Sequence, residues 1–450
     1  MKLTGQFLKG LFTFNEQTLS EDLIIRGVGT DTRMELTDQL FIPIVGDHFN
    51  GHDYIKTAIE KGAVASMWQR DYPLPDDLPT NFPILFVDDT LMGLQTLATA
   101  YRDLIDPTVV AITGSNGKTT TKDLVKNVCQ SAFNTHATKG NFNNHIGLPL
   151  TILQMEEKTD VLILEMGMNH FNEIERLSDI AKPDVAIVTN IGESHIENLG
   201  SREGIAKAKL EILSSLHPDG VLIIDGDEPL LNQEYNFRTI KVGFSVRNDY
   251  EVTLNEVMPA GTHFMLNGEQ DYQIPLVGKH HAKNASYAIA LGYHLNLTHK
   301  DMYEDLMNLE QTGMRFEQLL SKNGATLIND AYNASPTSMK GAIDAVKLFT
   351  GYEKKVAVLG DMFELGENEK DYHVELGSWI PSEIDCIYTI GPLASLISEH
   401  SRVQSTHAST PEELVNFLKE HDQKGNLILF KASRGMALEK VIAQLMNEKS

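Results

Sequence analysis

Cysteine is nearly missing from this chain: Cys129 and Cys386 are the only two thiols in 450 residues. That scarcity excludes a disulfide framework and a thiolate metal cluster. Long apolar runs are missing too, and nothing reaches the roughly 20 residues that a membrane-spanning helix needs. Basic residues are scarce, with 38 Lys and Arg against 62 Asp and Glu and a formal net charge of −24. A protein that grips nucleic acid or a membrane surface needs a basic footprint, so neither partner is expected. The first ten residues carry Lys9 within their apolar stretch and do not read as a signal peptide. A soluble, cytoplasmic protein is the expectation.

What the chain does have is a phosphate loop. Thr113-Gly-Ser-Asn-Gly-Lys-Thr-Thr120 stands directly behind the apolar run Val109-Val-Ala-Ile112. Four β-prone residues, a turn bracketed by Gly114 and Gly117, and a hydroxyl-rich helix start describe a strand–loop–helix unit. The glycines let the backbone, with Ser115 and Asn116 between them, turn its N–H groups inward. A helix beginning near Lys118 then offers free N–H donors and the positive end of its dipole to a polyphosphate. Lys118 can reach the terminal phosphates and the Thr119 hydroxyl is placed to ligate Mg²⁺, with Thr120 beside it. The loop is the short form Gly-x-x-Gly-Lys-Thr-Thr, lacking the first glycine of the standard pattern.

The length implies roughly three domains. Residues 1–106 hold short β-like runs at 40–44, 63–67 and 84–87, then an amphipathic helix over 91–105 that Asp106-Pro107 ends. Residues 107–316 carry the phosphate loop and continuous apolar strands at 160–165, 184–189 and 220–225, the pattern of a parallel sheet covered on both faces. Residues 317–450 repeat the style at 355–359, 387–390 and 426–430. Ligands of open α/β sheets sit beyond the carboxyl ends of strands, which directs attention to the turns there.

Several of those turns carry chemistry. Glu165 ends a strand and can hold Mg²⁺ beside the loop, or be a solvated strand-end acid. His195 closes the turn Asn190-Ile-Gly-Glu-Ser-His195 and by itself says little. In the helix from Ser201 to Leu213, Lys207 lies between Glu203 and Glu211 and reads as an exposed ion-pair row. Lys209 instead shares a face with Ile205, Ile212 and Leu213. A lysine there must snorkel, pair or lose its charge, and a neutral amine can take up CO₂ as a carbamate, an anionic Mg²⁺ ligand. His280 or Asn284, ahead of an Ala-rich helix, could read an adenine edge or simply cap the helix start. Arg315, at the exit of the second unit, can clamp a terminal phosphate. Asn329-Asp-Ala-Tyr-Asn-Ala-Ser-Pro336, which includes Asp330 and Asn333, suits ribose or phosphate contacts, or a plain turn.

Taken together these segments resemble the Mur ligases, the ATP-dependent amide-forming enzymes of peptidoglycan precursor synthesis, along essentially the whole chain. The loop 113–120 is similar to the family's phosphate loop, and the stretch from Asn190 to His195 with Lys-Ala-Lys209-Leu-Glu-Ile resembles its metal-binding histidine and carbamylated-lysine segment. Lys139-Gly-Asn-Phe-Asn-Asn-His-Ile-Gly-Leu-Pro149, residues 329–336 and Leu359-Gly-Asp-Met-Phe-Glu-Leu-Gly366 look like the branch that adds a D-alanyl-D-alanine dipeptide. Gly29-Thr-Asp-Thr-Arg33 and Gly46-Asp-His-Phe-Asn-Gly-His52 look like the family's uridine-nucleotide turns, with Thr32 where Ser is usual and Asn50 where Asp is common.

The resemblance implies an α/β fold of three domains. These are a UDP-sugar substrate-binding domain (1–106), a central P-loop-type parallel-sheet ATPase domain (107–316) and a Rossmann-like C-terminal domain for the amino donor (317–450). It implies ATP and Mg²⁺ as cofactors, and UDP-N-acetylmuramoyl-tripeptide and D-Ala-D-Ala as substrates, with a monomer expected. By the same resemblance Asn284, Arg315 and Asp330 hold ATP. Thr119, Glu165, His195 and carbamylated Lys209 hold metal, with Lys118, Lys209 and His195 catalytic. Thr32, Arg33, Asn143, Asn144, Asn333, Ser433 and Arg434 face the substrates. Within the same superfamily the alternatives are a lysine- or diaminopimelate-adding ligase and a folylpolyglutamate synthase. A GTPase would need a guanine-selecting Asn-Lys-x-Asp turn, and Thr189-Asn-Ile-Gly192 does not supply one.

Overall fold

The computed structural model describes residues 1–14, 19–309 and 313–447. Three large sheets organise it, beside a two-stranded pairing of Leu3–Thr4 with Ile24–Ile25, and each large sheet begins where the apolar pattern of the sequence restarts. The first has five strands in the order Thr13–Phe14, Ile84–Val87, Ala65–Gln69, Gln39–Phe41, Gly27–Gly29, parallel except for its first pair. The third has six, in the order Glu317–Leu320, Thr326–Asn329, Asn426–Lys431, Lys354–Gly360, Cys386–Ile390, Gln404–Ala408. Only its Glu317–Leu320 edge runs antiparallel.

The central sheet has nine strands. Thr108–Thr113 lies between Val185–Val188 and Val161–Glu165, with Thr135–Ala137 beyond the latter. On the other side follow Val221–Asp225, Arg238–Gly243, Tyr250–Met258, Gly261–Leu266 and Gln270–Ile274. Val161–Glu165, Val185–Val188 and Val221–Asp225 are buried at every position, as continuous apolar runs in a doubly covered parallel sheet should be. The last three strands turn the edge into an antiparallel meander. Sequence reading missed this meander because its strands mix exposed polar and apolar positions rather than forming solid apolar blocks.

The helix expected over 91–105 spans Thr90–Ile105. Asp89 caps it by accepting from the Met92 N–H at 2.7 Å, and Asp106 ends it in a left-handed conformation at φ 52°. Its apolar stripe does not serve the first unit alone. Leu94, Leu97, Ala98 and Tyr101 are buried in one cluster with Leu148, Ile152, Ile174 and Leu177 of the central unit. The Tyr101 hydroxyl donates to the Met155 carbonyl at 3.0 Å, and Gln95 donates to the His145 carbonyl at 2.8 Å. The helix therefore fastens the first unit to the flank of the second. Truncating Leu94 or Leu97 to Ala would cost about 2–5 kcal/mol.

Four histidines lie almost wholly inside the protein: His52 at 1% exposure, His281 at 6%, His373 at 0% and His421 at 4%. Two of them are committed to the neutral form by their partners. His52 pairs through Nδ1 with the Asn50 carbonyl oxygen at 2.7 Å, and its Nε2 accepts from the Gln69 N–H at 3.2 Å. His373 pairs through Nδ1 with the Glu369 carbonyl at 2.6 Å, and its Nε2 accepts from the Met362 N–H at 3.0 Å. A proton on either Nε2 would set two donors against each other. Burial lowers all four from the usual histidine value. The unfolded chain then binds more protons than the folded one as the pH drops below about 6.5, and stability falls with it. We expect the urea midpoint to be lower at pH 6 than at pH 7.5, a window above the ordinary carboxylate range. A midpoint unchanged across that interval would contradict the neutral assignment.

Candidate functional site

Three adjacent strands of the central sheet end at one place, and the phosphate loop leaves from the middle one. Gly114 has φ 151° and Gly117 has φ 81°, both in the region that favours glycine. A Cβ on Gly114 would stand 1.9 Å from the Thr189 hydroxyl, and one on Gly117 would stand 2.9 Å from the Asn284 amide. The turn following Val185–Val188 explains this close approach, because it holds the loop at several points. The Ser115 N–H donates to the Asn190 carbonyl at 3.0 Å, and the Asn116 N–H donates to the Asn190 side-chain oxygen at 2.9 Å. The Asn116 carbonyl accepts from the Thr189 hydroxyl at 2.6 Å and the Asn190 amide at 2.9 Å. The Ser115 hydroxyl accepts from the Gly192 N–H at 2.8 Å. The helix Lys118–Gln130 starts directly behind Gly117, with its free N–H groups toward the loop.

Lys118 folds back so that its ammonium donates to the Gly114 carbonyl at 2.7 Å. Burial pushes its pKa down; Glu165 opposes that shift and Arg315 adds to it. Thr119 is the meeting point. Its hydroxyl donates to Glu165 Oε2 at 2.7 Å and accepts from Arg315 Nη2 at 2.8 Å. Glu165 is only 3% exposed; its Oε1 accepts from the Asn143 amide at 2.8 Å, and its N–H donates to the Thr138 hydroxyl at 3.0 Å. Arg315 also lies over the Tyr332 ring at 4.1 Å, so its guanidinium is stacked as well as paired.

Lys209 is 1% exposed, and among the described residues no acceptor meets its ammonium. Burial, and then the positive charge of Lys118, push its pKa well below the usual lysine value. Both influences favour the uncharged amine, the last of the fates open to a lysine on that face. Lys207 is exposed, but the expected ion-pair row does not form. Its Nζ stands over the Phe171 ring at 5.8 Å, while the Glu211 carboxylate accepts from the Asn172 N–H at 2.9 Å. Competition from backbone donors defeats the i±4 pairing.

His195 sits in a left-handed conformation at φ 65°, and its Nδ1 lies 2.5 Å from Glu364 Oε2 of the C-terminal sheet's first long turn. That ion pair holds Glu364 below the usual carboxylate range. Asp330 accepts from the Lys431 ammonium at 2.7 Å and from the Phe316 N–H at 3.1 Å, next to Arg315. Asn284 lies inside the helix Lys279–His294, six residues past its Gly278 cap, so it does not serve as a helix cap. The Asn144 side-chain oxygen accepts from the Gly147 N–H at 2.8 Å, in the turn that leads into the helix Gly147–Gln154. Ser433 is 3% exposed and its hydroxyl accepts from the Phe363 N–H at 2.9 Å; Arg434 pairs with Glu439 at 3.0 Å. Asn333 is exposed, and its carbonyl accepts from Lys431 at 3.1 Å. Thr32 and Arg33 are remote from the loop in sequence and form their own turn, where Arg33 pairs with Asp31 at 2.6 Å and holds that carboxyl at about 2. Sequence reading missed Glu364 as a partner of His195, since nothing in a separation of 169 positions relates them.

The donor set suits a hard divalent cation. The Thr119 hydroxyl and Glu165 carboxylate are adjacent at the loop's mouth. No group of three or more His, Cys, Asp or Glu side chains converges on a point among the described residues. A cation there would keep water and phosphate among its ligands, which is the habit of Mg²⁺.

A model of the Mur ligase middle domain matches residues 112–292, and a model of the Mur ligase glutamate ligase domain matches residues 314–434. The UDP-N-acetylmuramoyl-tripeptide–D-alanyl-D-alanine ligase of Bacillus subtilis (strain 168) is 47% identical, covering 95% of this chain and 94% of its own length. That of Escherichia coli (strain K12) is 34% identical, covering 96% of each. The solved structure of MurF from Acinetobacter baumannii superposes with a TM-score of 0.90 at 27% identity, over 100% of this chain and 99% of that one. MurF ligase from Thermotoga maritima in complex with ADP gives 0.83 at 29% identity, over 95% and 98%.

The loop's dependence on Thr189 gives a sharp expectation. Gly114→Ala forces a Cβ into the Thr189 hydroxyl and should weaken ATP binding by about 100-fold, near 3 kcal/mol. Calorimetric titration checks this, with circular dichroism confirming an unchanged fold. Wild-type affinity in the variant would contradict the loop geometry.

Proposed function

The chain belongs to the Mur ligase family, and we propose that its reaction is the ATP-dependent joining of D-Ala-D-Ala to UDP-N-acetylmuramoyl-tripeptide in peptidoglycan precursor synthesis. Identity of 47% across 95% of the chain to a ligase of that specificity supports the choice of substrates. The chemistry rests on one observation: the phosphate-loop Thr119 is bonded both to Glu165 at a strand end and to Arg315 at the entrance to the third sheet. A lone nucleotide-binding module has no need to gather an acid from a neighbouring strand and a cation 196 positions along the chain on the same hydroxyl.

In this reading the tripeptide's terminal carboxylate attacks the γ-phosphate of ATP, giving an acyl phosphate and ADP. The amine of D-Ala-D-Ala then attacks the acyl carbon and phosphate leaves. The first step brings two anions together, so what the protein must supply is charge neutralisation and alignment. Lys118 and Arg315 offer their positive charge to the transferring phosphoryl group, and the loop N–H groups take the remaining oxygens. Thr119 and Glu165 would hold one Mg²⁺, and His195 with carbamylated Lys209 a second, the ions supplying further positive charge at the reacting oxygens. Lys209 suits carbamylation because burial lowers its pKa and so favours the neutral, nucleophilic amine. Asn284 and Asp330 face ATP, while Asn143 sits against Glu165 toward the muramoyl substrate. Thr32 and Arg33 take the uridine end, with Asn144, Asn333, Ser433 and Arg434 near the peptide and incoming dipeptide. Ser433 and Asn144 act there through the turns they hold.

The division at 106/107 and 316/317 goes with the three sheets, each carrying one reactant. A monomeric, cytoplasmic enzyme fits this reading; no helix of the described residues is long and apolar enough to cross a membrane.

Two outcomes test the proposal. ADP release from ATP and UDP-N-acetylmuramoyl-tripeptide should require D-Ala-D-Ala, and turnover with lysine or diaminopimelate in its place would refute the specificity. Lys209→Ala should abolish ADP release and recover part of it with short carboxylates in the buffer; an unimpaired variant rules the carbamate out.

A further inference from the structure

The contact between His195 and Glu364 joins two units, and both of its residues are strained. His195 has φ 65° and Glu364 φ 62°, and left-handed backbone at a residue other than glycine persists only where its surroundings fix it. The surroundings here are explicit. The Glu364 carbonyl accepts from the Glu197 N–H at 3.4 Å, and Gly366, at φ 64°, packs where a Cβ would stand 3.2 Å from the Glu197 Cα. One residue before Glu364, the Phe363 N–H donates to the Ser433 hydroxyl at 2.9 Å, which ties the turn to the end of the strand Asn426–Lys431. A second clasp lies alongside, where the Thr337 hydroxyl donates to Glu193 Oε2 at 2.8 Å, two residues before His195.

The pairing fixes the imidazole. Set toward an acceptor-only carboxylate, a neutral ring carries its hydrogen on Nδ1 and leaves Nε2 as the free lone pair. This is the arrangement in which a second-sphere carboxylate orients a histidine ligand and raises its basicity. Here the orienting group comes from a different unit than the histidine. Glu364 makes no contact with the phosphate loop among the described residues, so its influence on the reaction passes through His195.

We propose that Glu364 is a positioning residue of the C-terminal unit that sets the ring of His195, so that the cation site is completed only when that unit is seated on the central one. The inference rests on the assignment of His195 as a metal ligand. It gives domain seating a chemical consequence: a phosphorylated intermediate would form only in the closed enzyme, where water is excluded.

The test uses the full chain and three proteins: wild type, Glu364→Gly and Glu364→Gln. Glycine deletes the carboxylate and adopts φ 62° without strain, so a folding defect is not expected. Glutamine keeps an acceptor oxygen for Nδ1. Mn²⁺ binding is read from loss of the free-ion paramagnetic resonance signal in the presence of ADP and UDP-N-acetylmuramoyl-tripeptide. Glu364→Gly should bind Mn²⁺ about tenfold more weakly. It should also need about tenfold more Mg²⁺ for half-maximal rate, while its ADP affinity without metal stays unchanged. Glu364→Gln should remain within about threefold of wild type on each measure. Wild-type Mn²⁺ affinity in Glu364→Gly overturns the proposal, and so does an equal loss in Glu364→Gln, because orientation survives that change. If wild type itself shows no D-Ala-D-Ala-dependent ADP release, the proposed reaction fails. The Mn²⁺ comparison still decides the role of Glu364.

Discussion

The site depends on the close approach between the phosphate loop and the turn after the neighbouring strand. Five hydrogen bonds among Ser115, Asn116, Thr189, Asn190 and Gly192 lock the two together, and Gly114 is the point where nothing larger than hydrogen fits. The loop's shape is thus set by tertiary contact with a parallel neighbour as much as by its own glycines. That neighbour's turn runs on to His195, so one rigid strand pair aims both the phosphate cradle and the candidate metal histidine.

The remaining groups arrive from farther away and with opposite charge logic. Glu165 is tolerated in the interior because Thr119, Asn143 and Thr138 satisfy it. Lys209 is tolerated because it need not be charged, its neighbour Lys118 making the ammonium form still less favourable. Arg315 stacks on Tyr332 while bonding Thr119. Glu165 and Arg315, each stabilised by a different device, meet at one threonine hydroxyl. The seam between central and C-terminal units crosses that same place. Ser335, Thr337 and Glu364 reach over it to Asn116, Glu193 and His195.

The sequence carried the parallel strands plainly. Solid apolar blocks such as Val161–Leu164 and Val185–Val188 cannot be surface strands, and the glycine-bracketed loop behind Val109–Ile112 has few other uses. Lys209 stood out for the same reason, a charged residue on a buried helical face. The antiparallel strands between Tyr250 and Ile274 left a weaker trace, since buried positions in them are interrupted by partly or fully exposed ones. Ion pairing of Lys207 was misjudged because helical spacing cannot report that backbone N–H groups have already claimed Glu211. The sharing of helix Thr90–Ile105 between two units, and the Glu364–His195 contact, are products of how whole sheets dock. No local pattern encodes them.

The account's central claim is that gathered positive charge at this loop allows one anion to be phosphorylated by another. The most direct measurement places ¹⁸O in the terminal carboxylate of UDP-N-acetylmuramoyl-tripeptide, supplies ATP and D-Ala-D-Ala, and analyses the released phosphate by mass. Phosphate carrying one ¹⁸O atom per turnover is the predicted result, because the carboxylate oxygen becomes the bridge of an acyl phosphate. Amide product accompanied by unlabelled phosphate would contradict it.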